Sequence, residues 1–236
     1  MTVPLSVLVG LLGGGPAVAA EVITVENRYV VGWPGLTVRA APSAGAESLG
    51  SLPFGQAVAV ATRPALEVRE GTLAGAWVEV RSGVLRGFVF DAFLLDLPGP
   101  PAGCRAFDDW AARWEPDGPT VVERLDDPES GARIERRVQG YSDGQERVWE
   151  SGGEGRWGEL WLPDVRLAQA WLAARRCDLR LEPINQRGWP PRGDNLPGVR
   201  VRWSAEQVEV GPRQAGEVWV SLEQQSGGTV VRWREE

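Results

Sequence analysis

Between residues 22 and 90 the chain alternates apolar and polar positions in bursts too short for helices, at 22–31, 36–39, 57–61, 76–81 and 85–90. A period of two is that of a strand with one buried side. Leu36 and Val38 therefore share a face that Thr37 and Arg39 do not, and Val78 and Val80 oppose Trp77, Glu79 and Arg81 in the same way. Pro42 and Gly45 supply a turn, and Gly50 and Gly55 allow bends around Leu52. Short strands joined by such turns predict a small barrel over residues 21–97.

The prolines of PGPPAG, residues 98–103, lack amide donors and restrict the residues before them, so the segment reads as a linker between domains. Past it the period changes. Phe107, Trp110, Ala111 and Trp114 fall at helical spacing until Pro116 ends the stripe. Strands are predicted at 120–125, 132–139 and 145–150, the last two joined by a turn at Tyr141-Ser142-Asp143-Gly144. A second helix is predicted over 164–177, with Asp164 near its start and Leu167, Ala168, Trp171 and Leu172 on its inner side. Four late strands follow at 199–203, 207–210, 217–223 and 229–234, with a Ser226-Gly227-Gly228 turn before the last. The whole is mainly β: a small barrel, then an α+β domain over 104–236 with a largely antiparallel sheet.

Composition agrees, since 30 Gly and 18 Pro in 236 residues favour turns over long helices. The net charge of −7 opposes nucleic-acid binding, which depends on neutralising phosphates with a basic surface. Every basic residue is Arg, and histidine is absent. That absence removes Ser-His-Asp and Cys-His catalysis and the usual His-containing zinc sites. No phosphate-cradling order of glycines and no metal-ligand spacing is visible, so neither a cofactor nor a metal is expected.

Residues 1–20, MTVPLSVLVGLLGGGPAVAA, place an apolar run before Ala17 and Ala19, which fits a secretory signal with an A-x-A end but without the usual basic start. The run is too short and Gly-interrupted for a spanning helix. The expected address is periplasmic or extracellular, with no stable membrane span after cleavage. In an oxidising compartment Cys104 and Cys177, the two cysteines of the chain, most simply pair. The alternative is two buried thiols.

The order GLTVRAAPS at 35–43, LGSLPFG at 49–55, WVEVR at 77–81 and RGFVFDAFL at 86–94 resembles the bacterial SH3 family. The resemblance covers about residues 22–96 and implies an SH3-like barrel that binds peptidoglycan peptide or a protein partner. Thr37 stands where the family has Asn, Ala40 and Ala41 replace a small polar pair, and the segment 63–75 is longer than the family's. No family resemblance is recognised in residues 104–236.

Outward alternation makes Trp77 the candidate wall of a groove, with Glu79 on its face and the loop bearing Glu67, Arg69 and Glu70 alongside. Arg39, on the outward side of the opening motif, is placed to meet a ligand carboxylate. The expected binding set is thus Trp77, Arg39, Arg69 and Glu79, with packing beneath the long loop as the competing role for Trp77. Of the 12 Trp residues, Trp110, Trp114 and Trp171 lie on core stripes. Trp203 shares a face with Val199 and Val201, which predicts burial, whereas Trp219 opposes its strand's aliphatic set. No catalytic constellation is identified. The expected function is an exported non-catalytic envelope protein binding cell-wall peptide or an envelope protein. The alternative is a carboxylate-dependent cell-wall glycosidase using Glu154 and Glu159 in SGGEGRWGEL, with Asp164 as a further member, although such a Gly-rich charged stretch reads first as a solvated loop.

Overall fold

The computed structural model describes residues 24–62, 66–126, 131–152, 155–178, 180–181, 184, 189–191, 198–213 and 218–235. The expected signal at 1–20 and Glu154 lie outside the described residues. The chain divides into two compact units, Met1–Leu94 and Leu95–Glu236, and is mainly β, with antiparallel sheets.

The first unit contains β1 (Thr24–Val30), β2 (Gly35–Arg39), β3 (Ser48–Pro53), β4 (Ala57–Thr62), β5 (Val68–Glu70), β6 (Leu73–Gly75), β7 (Trp77–Ser82) and β8 (Leu85–Phe90). A short 3-10 turn, Asp91–Phe93, then leads into β9 (Leu94–Leu95). Its seven-stranded sheet runs β3-β2-β8-β7-β4-β1-β9, and β5 and β6 form a separate hairpin. The alternation that defines the strands also builds the core: Val30, Leu36, Val38, Leu52, Val58, Val60, Val80, Val89 and Leu94 are buried together. Close backbone approach fixes one glycine. A Cβ on Gly87 would meet the Arg39 carbonyl and the Val38 side chain on β2, so only glycine lets β8 lie there. Strands β3, β5 and β6 were not anticipated. The stretch around Leu52, expected to bend at Gly50 and Gly55, forms β3 and buries Leu52, and the long 63–75 segment supplies the β5–β6 hairpin.

The second unit contains α1 (Phe107–Ala111), β10 (Val121–Asp126), β11 (Arg133–Gly140), β12 (Glu146–Gly152), β13 (Gly155–Pro163), α2 (Leu167–Ala174), β14 (Val199–Trp203), β15 (Gln207–Pro212), β16 (Val220–Gln225) and β17 (Gly228–Glu235). Its eight-stranded sheet runs β10-β11-β12-β13-β17-β16-β15-β14, antiparallel throughout. α2 packs on β16 and β17, whose inward Val220, Leu222, Val231 and Trp233 are buried. Phe107 of α1 lies on Trp233, with ring centroids 4.6 Å apart. The segment 98–103 has no regular structure, but it is tied to α1: the Pro98 carbonyl accepts the indole N–H groups of Trp110 at 2.8 Å and Trp114 at 3.2 Å.

Cys104 and Cys177 form a disulfide with Cα atoms 4.7 Å apart, joining the approach to α1 to the exit of α2. Asp164 does not cap α2. It sits in a left-handed turn with φ of 57°, while the first amides of the helix are met by the Gln169 side chain at Arg166 and by Gln224 of β16 at Leu167, 3.1 and 2.6 Å away. Side chains from within the helix and from the sheet thus replace the expected cap.

Candidate functional site

Register places three of the expected residues on one surface. Arg39 of β2 opposes Phe88 of β8, and Phe88 opposes Glu79 of β7, so these side chains share the outward face of three neighbouring strands. Trp77 stands one pleat along, opposite Phe90, with ring centroids 5.7 Å apart. Its indole N–H donates to Glu70 Oε1 at 3.0 Å, so the β5–β6 hairpin does lie beside it. Arg69 is set apart. It opposes Ala74 while Glu70 opposes Leu73, and consecutive residues of a strand point to opposite sides, so Arg69 leaves the face on which Glu70 meets Trp77. The polar groups of the surface already have chain partners: Arg39 donates to the Ala46 carbonyl at 2.7 Å, and Glu79 accepts from Arg86 at 2.6 Å. Trp77 itself is half-buried.

A second site was not anticipated. On the β11–β12–β13 part of the larger sheet a cleft of about 600 Å³ is lined by Arg137, Arg147, Trp149 and Arg156, with Thr120 and Ser151 among its hydroxyls. Arg137 directly opposes Trp149, and Gln139 opposes Arg147, so alternation along β11 and β12 puts all four on one face. The Arg147 guanidinium stacks 3.6 Å from the centre of the Trp149 ring and pairs with Asp108. Beside it, burial pushes the Tyr141 hydroxyl above its ordinary pKa, against the charge and hydrogen bond of Arg147. The alternation of these residues was visible in the sequence. Their register across strands was not.

The carboxylates of the glycosidase alternative are differently placed. Glu159 lies within β13, a strand that the Gly-rich reading of SGGEGRWGEL had made a loop. Arg232 bridges Glu159 and Glu223 at 2.7 Å each. Burial works against the Arg232 charge, but the two carboxylates outweigh it and raise its pKa. On the same face Arg136 joins Glu123 at 2.9 Å and Glu150 at 3.3 Å. Glu150 and Glu159 both line a smaller cavity of about 260 Å³, but each is held in an ion pair, whereas acid–base hydrolysis needs one carboxyl kept protonated by its surroundings. Among the described residues no group of three or more His, Cys, Asp or Glu is placed to hold a metal ion.

Trp110, Trp114 and Trp171 are buried as expected. Trp203 is not: β14 is an edge strand, and the side chain is 51% exposed with Trp189 at 6.2 Å. Trp219 is half-buried, with the Arg180 guanidinium 5.9 Å from its ring. No protein-family model, curated protein or solved structure matches the chain.

Proposed function

We propose that the chain is an exported, non-catalytic protein of the bacterial envelope whose N-terminal unit is an SH3-like module for a cell-wall peptide or an envelope protein. The observation that carries this reading is the outward row Arg39, Phe88 and Glu79, with Trp77 beside it. These four residues come from the stretches that carry the family resemblance and combine aromatic with charged character on one face. Two coarser facts support the address: the chain is cross-linked by a disulfide, which fits an oxidising compartment, and no helix among the described residues is long and apolar enough to cross a membrane. The ion pair of Glu159 with Arg232 weighs against the wall-glycosidase alternative, whose partner carboxylate Glu154 lies outside the described residues, and loss of turbidity from purified cell walls would restore it.

The deciding variant is Trp77→Ala. As a contact residue, Trp77 is worth about 2 kcal/mol of binding with little change in melting temperature. As a packing residue against Phe90 and Glu70, its loss costs about 3 to 5 kcal/mol of stability. Melting curves paired with retention on purified sacculi and on envelope-protein extract distinguish the two. A large loss of stability removes Trp77 from the site.

A further inference from the structure

The cleft on the β11–β12–β13 face belongs to neither the outward surface of the first unit nor the ion-pair rows of the opposite sheet face. We propose that it binds a carboxylate-bearing oligosaccharide, with Arg137, Arg147 and Arg156 taking the carboxylates and Trp149 taking the apolar face of a sugar ring. This stands whether or not the N-terminal unit binds wall peptide.

Three guanidinium groups line the cleft together with the carboxylates Asp108, Glu135 and Glu150. Their present partners leave donors over. Arg147 is 8% exposed, pairs with Asp108 through one nitrogen, and has its Nε buried without a partner. Arg137 gives Nε and one terminal nitrogen to Glu135, at 2.8 and 2.6 Å, and Arg156 pairs with no described residue. A guanidinium offers five N–H donors in a planar fork, so one carboxylate does not saturate it. Asp108 and Glu135 also fix where these forks point, which favours a ligand that needs little reorganisation of the site.

The backbone decides what kind of anion fits. β11, β12 and β13 are interior strands, paired on both sides, so their amides and carbonyls are spent on the ladder. An extended peptide binds a sheet by adding to a free edge, and on this side of the sheet that edge is β10, not the strands that carry the Arg and Trp side chains of the cleft. Recognition here must come from side chains. An indole covered on one face by Arg147, with the hydroxyls of Thr120 and Ser151 in the lining, suits a ring that meets its remaining surface with an apolar side and carries hydroxyl groups and a carboxylate. The volume is within the range of small-ligand pockets.

The test is calorimetric titration of the full disulfide-bonded protein with a uronate trisaccharide, a neutral trisaccharide of the same length and a triglutamate peptide. The uronate trisaccharide is expected to bind with Kd below about 1 mM, at least about tenfold tighter than the other two, and to weaken as salt rises. Arg156→Gln, at an exposed position without a partner among the described residues, should weaken it several-fold without shifting the melting temperature. Trp149→Phe should lower affinity for the uronate while keeping most of the packing under Arg147. Absence of binding, equal affinity for the neutral sugar, or tighter binding of the peptide overturns the proposal. So does a uronate affinity that Arg156→Gln leaves unchanged.

Discussion

The two halves of the larger sheet share one backbone plan and differ in what covers them. On β17, β16 and β15 the inward series Val231, Leu222, Val220, Val208 and Val210 is aliphatic and buried, with α2 resting on β16 and β17. On β12, β11 and β10 the same face carries Arg147, Trp149, Gln139 and Arg137, and reaches Val122, which is 51% exposed. The lesson is that the face turns from aliphatic to polar beyond the strands on which α2 rests. Strands under a helix must be apolar because buried polar groups without partners are costly, while their neighbours a few ångströms away are free to carry charge. The seam between the halves is β13, where Leu160 and Leu162 are fully buried and the strand end beyond Gly158 faces the cleft.

The sharpest way to break this division is at the seam. A Cβ on Gly158 would fall inside the Trp233 indole, so Gly158→Ala should expel a buried aromatic and cost about 3 to 5 kcal/mol in denaturant unfolding. Next comes a matched pair of truncations across the sheet. Leu222→Ala in the covered half should lose about 3 kcal/mol, while Val122→Ala in the open half should change stability by under about 0.5 kcal/mol. Equal losses would mean that the two halves are equally packed. The smallest effect lies on the opposite face, where the Glu123 hydrogen bond, outweighing desolvation and aided by Glu150, raises the pKa of Arg136. Arg136→Gln should cost about 0.5 kcal/mol at low salt, and the difference should fade at high salt.

These cases also show what sequence patterning does and does not reveal. Strand positions with clean alternation were legible, as β2, β8 and β14 match their expected limits within a residue. The helical stripe Phe107, Trp110, Ala111 and Trp114 was legible too, because all four contribute to a single buried side. β13 was missed because Gly155 and Gly158 look like loop residues, and the reason for Gly158, an indole from a strand some 75 residues later, is invisible locally. Trp203 misled for the complementary reason: its face was read correctly, but the edge position that leaves it uncovered is a property of strand order. The candidate set in the first unit was half legible in the same sense. Alternation placed Trp77, Glu79 and Arg39 together, while the hairpin that turns Arg69 away follows from a register that no single strand encodes.

The disulfide adds a mechanical asymmetry to the same sheet. Its 73-residue span encloses α1, α2 and the strands β10 to β13, and leaves β14 to β17 outside. A pull on the chain ends can draw out the late strands but cannot lengthen the enclosed stretch, so about 250 Å of contour is withheld from extension. The open, Arg-rich half of the sheet, which has the least apolar cover, is thereby the half that tension cannot reel out.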